Sequence, residues 1–177
     1  REQPVLFTDD PSTPSLGDPT VTPITAAPAL SADKAASLLN DLDGNGVVSP
    51  GDTLRYTVTL ANTGNTEAAG LVYTDTPDRN GALVPGSVTT TQGQVASGNN
   101  GAPPIVVNVG SLAAPNGRVT IAYDVVVANP LPVGVRELVN QGVLASSDLP
   151  AVLTNDPRTP QPHDPTRVPV LAAPVLT

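Results

Sequence analysis

The stretch Thr53-Leu54-Arg55-Tyr56-Thr57-Val58-Thr59-Leu60 alternates polar and apolar side chains without a break. A period of two belongs to extended backbone, whose successive side chains leave opposite faces. Leu54, Tyr56, Val58 and Leu60 therefore share a buried face, and Arg55, Thr57 and Thr59 a wet one. Val119, Ile121, Tyr123, Val125 and Val127 repeat the rhythm, and shorter runs occupy residues 71–75, 87–91, 105–109 and 138–144. Turn-forming residues separate them: Asn62-Thr63-Gly64-Asn65, Pro77 to Gly81, Pro85-Gly86, Ser97 to Gly101, Pro115-Asn116-Gly117 and Asn129 to Gly134. About seven short strands with such punctuation predict an all-β chain, an antiparallel β-sandwich of immunoglobulin type.

The two ends of the chain repeat each other. Thr8 to Ser31 aligns without a gap on Thr154 to Thr177, at an offset of 146 residues with 13 of 24 positions identical. Self-similarity at a fixed spacing is the mark of an array. Residues 1–30 are accordingly expected to be linker and the tail of a preceding repeat, residues 31–153 the sandwich, and residues 154–177 the linker to the next repeat. Pro11, Pro14, Pro19, Pro23, Pro28 and their copies fit connectors, because proline fixes φ and favours extended geometry.

Composition narrows the class. With three Tyr, one Phe and no Trp, the core has to be built from Val, Leu, Ile and Ala. A net charge of -8 argues against nucleic acid and anionic membranes, which require clustered Lys and Arg, and makes cations the natural partners. Cysteine is absent, so no disulfide contributes. No stretch approaches the roughly 18 apolar residues of a membrane span, so no membrane insertion is expected in this segment, and no charged-then-apolar leader opens it.

The strongest chemical motif runs Asp41-Leu42-Asp43-Gly44-Asn45-Gly46-Val47-Val48-Ser49-Pro50-Gly51-Asp52. It has the spacing of a twelve-residue calcium loop: Asp41, Asp43 and Asn45 at positions 1, 3 and 5, Gly46 at the sharp turn, the Val47 carbonyl at 7, Ser49 at 9 and Asp52 at 12. Ca2+ seeks six to eight oxygens, and short side chains on alternate residues of a tight loop converge on one point. Asp52 stands where a longer Glu is usual and a strand follows in place of a helix, so affinity in the extracellular range of about 10⁻⁴ to 10⁻³ M is expected. The plainer alternative is a turn, which Asp, Asn and Gly also favour.

A second acidic set lies in the repeated ends. Asp148, Asn155, Asp156 and Asp164 recur as Glu2, Asp9, Asp10 and Asp18, a possible calcium site at a junction, or simply solvated turns. Lys34, the only lysine, shares strand parity with Leu30, Ala32 and Leu38, and Asn140 shares parity with Leu138 and Leu144. A lysine on the first strand facing an asparagine on the last could form an internal Lys–Asn isopeptide bond, given a carboxyl such as Asp75 or Asp124, because a desolvated lysine readily becomes a nucleophile. An ordinary edge lysine beside a hydrogen-bonded asparagine is the alternative.

The succession of residues 47–78, 83–93, 107–127 and 138–157, above all GDTLRYTVTLANTGN and VYTDTPD, resembles the Ig-like repeat of very large bacterial and archaeal cell-surface proteins, long catalogued as a domain of unknown function. The likeness spans about residues 31–170 and implies a tandem, secreted, surface-exposed module. Enzymatic activity is not expected. The sole histidine, His163, faces Gly17 in the other copy, and there is no zinc spacing and no phosphate-cradling glycine loop. Two readings remain. One is a calcium-stabilised spacer and assembly module of a stalk, adhesin or filament, whose partners are neighbouring copies joined covalently or by strand addition. The other is a module whose turns at Ser97 to Gly101 or Asn129 to Gly134 recognise a glycan or host protein.

Overall fold

The two longest alternating runs become neighbouring strands. In the computed structural model, which describes residues 7–171, β2 (Thr53–Asn62) pairs antiparallel with β8 (Gly117–Val127), with Tyr56 directly opposite Tyr123. The two rings stack at 5.3 Å between centroids, a cross-strand aromatic pair of the kind that stabilises a sheet. β1 (Leu30–Asn40) lies on the other side of β2, and β4 (Gly81–Leu83) and β5 (Thr89–Thr90) both pair with β8. The opposing sheet has the order β11 (Val152–Leu153), β10 (Gly142–Ala145), β3 (Ala68–Asp75), β7 (Ile105–Leu112) and β6 (Gln94–Ser97). A two-stranded ladder joins β9 (Glu137–Asn140) to β12 (Thr166–Pro169).

The chain is therefore an all-β antiparallel sandwich, as the alternation requires. It has twelve strands among the described residues where about seven were expected. The extra ones arise because the 138–144 run breaks at Gln141 into β9 and β10, and because short pairings cap the edges. Leu54, Tyr56, Val58 and Leu60 meet Leu71, Tyr73, Ile105, Val107, Val119, Ile121 and Tyr123 in one core, all at most 1 % exposed. Among the described residues no helix is long and apolar enough to cross a membrane.

Both ends depart from the expected linkers. Residues 154–177 are, in their described part, built into the domain: Val168 and Val170 enter the core at 6 and 7 % exposure, β12 pairs with β9, and Asn155 pairs its backbone in parallel with β1. The physical reason is the same period of two, since Thr166, Val168 and Val170 share a face that would otherwise lie in water. At the other end Ala27 donates to Asn65 Oδ1 (2.8 Å), Ala29 to Asn62 Oδ1 (3.1 Å) and Asn65 Nδ2 to the Thr25 carbonyl (3.0 Å). Gly64 permits this clamp, because a Cβ there would fall on the backbone of Ala27 to Ala29.

The chain enters β1 beside Asn62, at the open end of the β1–β2 hairpin, and Leu171 leaves beside Val48, within the hairpin's turn, donating to its carbonyl (2.8 Å). Eleven residues of β1 separate these ends, roughly 35 Å of extended chain.

Ile121→Ala is expected to lower the unfolding free energy by about 2 to 5 kcal/mol in urea titration, because it opens a cavity in a closed core. Thr57→Ala, on the wet face of β2, should cost no more than about 1 kcal/mol.

Candidate functional site

The loop between β1 and β2 folds around its acids. The Asp41 carboxylate accepts from the backbone N–H of Gly44 (2.8 Å), Asn45 (3.3 Å) and Gly46 (2.7 Å), and the Gly46 bond above all holds it below the usual carboxylate range. Asn45 Oδ1 accepts from the Val47 N–H (2.8 Å), an Asx turn. Asp52, fully buried, accepts from the N–H of Leu42 (2.8 Å) and Ser49 (2.7 Å) and so ties the two ends of the loop together. The Ser49 hydroxyl lies between Asp43 (3.2 Å) and Asp52 (3.0 Å).

Carboxylate oxygens of Asp41, Asp43 and Asp52 come within 4.8 Å of one another. At such spacing each like-charged pair repels by about 1 kcal/mol even in water, and more near protein. A divalent cation would reverse the sign of that interaction, and the donors, all hard oxygens, suit calcium. Asp41, Asp43 and Asn45, the Val47 carbonyl, Ser49 and Asp52 are the residues that would hold it.

The junction acids are placed differently. Asp156 is committed to Arg158, whose Nη2 reaches its Oδ2 at 2.8 Å and whose hydrogen bonds hold it below the carboxylate range. Asp164 accepts from Thr159 Oγ1 (2.7 Å), Asp18 from Thr13 Oγ1 (2.6 Å), Asp10 from Ser12 (2.9 Å) and Asp9 from the Gly17 N–H (2.6 Å), so these acids lock the turns of the two repeated segments. Asp148 accepts from Ser147 (3.0 Å), and Glu2 lies outside the described residues. They are not gathered as the Asp41, Asp43 and Asp52 oxygens are.

Between the sheets the structure brings Lys34, Asp75 and Asn140 together. Lys34, with no exposed surface, sets its Nζ 2.9 Å from Asp75 Oδ2 and 5.8 Å from the centre of the Tyr56 ring. The same oxygen accepts from the hydroxyls of Tyr73 (2.5 Å) and Tyr123 (2.7 Å), and Tyr123 Oη accepts from Asn140 Nδ2 (2.8 Å). Gly142 makes room for this cluster, because a Cβ there would overlap the Tyr73 hydroxyl.

Two acceptors remain orphaned in this buried space, Asp75 Oδ1 and Asn140 Oδ1. An unsatisfied buried acceptor costs about 1 to 3 kcal/mol, so an oxygen left this way calls for a reason. Loss of water around Lys34 brings its pKa down to about 8, against the pull of Asp75 in the other direction.

Asp124, the other carboxyl considered for this role, is on the opposite face of β8, where Arg55 grips it through Nε (2.8 Å) and Nη2 (2.9 Å). The correction was legible in the alternation: Asp75 shares parity with Leu71 and Tyr73, whereas Asp124 follows the inward Tyr123. Sequence reasoning missed Tyr73, Tyr123 and Gly142 as parts of the cluster, since nothing in spacing shows which groups converge across two sheets.

The histidine and one of the candidate recognition turns take quiet places. His163 sits exposed in the tail turn with φ 59°, its ring 3.4 Å from the Leu153 carbonyl. The Ser97 to Gly101 turn is tied down through Asn99, whose carbonyl and side chain accept from Gly86 (2.8 Å) and Val88 (3.2 Å).

No protein-family model and no curated protein matches the chain. Among solved structures it is similar to the major pilin subunit of Bacillus cereus, at 12 % identity over 81 % of this chain and TM-score 0.49. It spans 40 % of that subunit's length. It is also similar to the collagen-binding domain of a Staphylococcus aureus adhesin (10 % identity, 78 % of this chain and 95 % of that one, TM-score 0.42). A third likeness is to part of a Vibrio harveyi exo-β-N-acetylglucosaminidase (12 % identity, 82 % of this chain and 19 % of that one, TM-score 0.39).

While Lys34 is a free amine, the folded state binds its proton less tightly than the unfolded chain does, since the pKa falls from 10.5 to about 8. Stability should then rise from pH 8 toward pH 10 as the unfolded chain alone stays protonated. Above pH 10 the buried hydroxyls of Tyr73 and Tyr123, whose pKa values burial raises, reverse the trend. Urea titrations of Asn140→Ala across that range check the sign.

Proposed function

We propose that the chain is a calcium-stabilised structural repeat of an extracellular surface stalk, adhesin or filament, acting as spacer and assembly module. The observation that carries this reading is that the chain enters and leaves the sandwich at opposite ends of the β1–β2 hairpin, the incoming segment clamped by Asn62 and Asn65 and Leu171 bonded to Val48. A module so arranged lengthens an array with every copy. The 146-residue repeat supports the array itself.

Calcium enters this reading as a structural ion. The loop of Asp41 to Asp52 lies where the chain leaves, since the Val48 carbonyl binds Leu171. An ion held there would stiffen both the hairpin turn and the exit. Binding to the folded state alone adds stability by mass action, about 2.7 kcal/mol at a hundred times the dissociation constant.

The buried cluster adds a second device, an isopeptide bond between Lys34 and Asn140. The neutral amine of Lys34 attacks Asn140 Cγ, the new C–N bond forms as Cγ–Nδ2 breaks, and the nitrogen leaves as ammonia with the proton that the amine gives up. Asp75, in contact with the amine, relays that proton. Protonated at Oδ1 it would become the donor that the orphaned Asn140 oxygen lacks, and its hydrogen bond would polarise the carbonyl under attack. The depressed pKa of Lys34 favours the nucleophilic form.

Two measurements check these statements. In 10 mM calcium the melting temperature should lie about 5 to 10 °C above that in chelator, and Asp43→Ala should lose the difference; equal melts would reduce the loop to a turn. Intact mass should fall about 17 Da below the sequence mass by loss of one ammonia, with Asp75→Ala and Lys34→Met at their full masses. An unshifted mass in the parent chain would rule out the bond.

A further inference from the structure

We propose that residues 8–25 are the closing segment of a preceding sandwich, the counterpart of residues 154–171, so that in an array one unit passes into the next with no free linker. This rests on the repeat reading above and adds to it the surface the segment fits and the residues that meet there.

The two copies form the same turn. Ser12 donates to Asp10 Oδ1 at 2.9 Å as Arg158 does to Asp156 Oδ1 at 3.0 Å. Thr13 Oγ1 donates to Asp18 Oδ2 at 2.6 Å as Thr159 Oγ1 does to Asp164 Oδ2 at 2.7 Å. The Gly17 N–H donates to Asp9 Oδ1 at 2.6 Å as the His163 N–H does to Asn155 Oδ1 at 2.9 Å, both residues being left-handed with φ 75° and 59°. Each partner sits 146 positions from its twin. The turn therefore forms from its own side chains, whether or not a sandwich lies against it.

What differs is the cover. Thr154 and Thr166 are fully buried, while Val168 and Val170 sit in the core; their counterparts Thr8, Thr20, Thr22 and Ile24 are exposed, Ile24 at 87 % against 7 % for Val170. The inward face of the C-terminal copy has a defined set of receivers. Thr154 Oγ1 accepts from the Gly142 N–H (2.9 Å), Thr166 Oγ1 donates to the Lys34 carbonyl (2.7 Å), and Val170 and Leu171 donate to the carbonyls of Arg136 and Val48 (both 2.8 Å).

Residues 8–25 keep what those receivers need. Thr8 and Thr20 carry the same hydroxyls, Ile24 supplies the apolar plug, and Thr22 has the branched shape of valine. Laid on the surface formed by β1, β9 and β10 of another copy, Thr8, Thr20 and Ile24 meet the receivers that Thr154, Thr166 and Val170 meet here, and Thr22 takes the place of Val168. A segment laid along an open strand edge gains backbone pairing there.

The joint is then very short. Thr25 corresponds to Leu171, whose N–H closes one unit on Val48, and the Thr25 carbonyl already accepts from Asn65 of the next. One residue would serve both units at once.

The test is a two-unit chain running 1–153 and then 8–177, in which residues 8–25 are the first unit's sole closing segment. Its control runs 1–177 and then 32–177, closed by the native residues 154–171. Both should fold as two units, and the junction Ile24 amide of the first chain should exchange with solvent at least about a hundredfold more slowly than in the single chain. Ile24→Asp at the junction should lower one of two melting transitions by more than about 5 °C, while the same change in the single chain leaves its melt unmoved. Equal exchange of Ile24 in both settings, or a first unit that folds with 154–171 and not with 8–25, would overturn the proposal. Neither readout involves calcium or Lys34, so the spacer's ion and cross-link can fail while this holds, and the reverse.

Discussion

An ammonium and a carboxylate held 2.9 Å apart, out of reach of water, fix how the two sheets meet. Lys34 belongs to one sheet and Asp75 to the other, and the tyrosines that complete the cluster come one from each. Removing either charge would strand the other in the core, which costs several kcal/mol. A slip of β1 by a single residue would turn Lys34 outward and do the same. Hydrophobic burial also opposes a one-residue slip, which would turn the apolar face outward, but it discriminates less against a slip of two, which keeps that face inward. The polar cluster is what tells one register from the next, and Gly142, by being nothing more than backbone, leaves it the space.

The tail performs the complementary task at the rim. β1 is the outermost strand of its sheet, and an open edge of that length is a template for association. Asn155 covers it by exchanging backbone bonds with Ala32 and Lys34 (both 2.8 Å), after which the chain crosses to β9. The segment is rich in proline, yet Pro157, Pro160 and Pro162 lie in its turns, Pro165 precedes β12, and Pro169 ends the ladder, where a missing donor is tolerated.

Much of this was legible beforehand, and the limits have physical causes. The alternation of residues 53–60 and 119–127 gave the sandwich and its inward residues directly. The parity of Asn140 pointed to the core, whereas that of Lys34 left an edge position open; both are buried. Choosing between Asp75 and Asp124 needed only the same parity rule, applied to Leu71-Val72-Tyr73-Thr74-Asp75. The ends were harder: proline-rich composition speaks for a connector, and only the faint period of Thr166, Val168 and Val170 spoke for a strand. The convergence of Tyr73, Tyr123 and Gly142 on one carboxylate lay beyond reach, because which rows of two sheets face each other is set by packing across the core.

The tail runs beside β1 in the same direction, bridged through Asp33 and Asn155. If the protein is pulled by its two ends, these neighbouring segments are drawn in opposite senses along their length. The hydrogen bonds between them are then loaded together, in shear, instead of being opened one after another like a zipper. A sandwich arranged this way meets tension at the Asn155 bridge with both of its backbone bonds at once. A covalent tie from Lys34 to Asn140, next to the ladder that holds β12, would carry the load past everything folded between them.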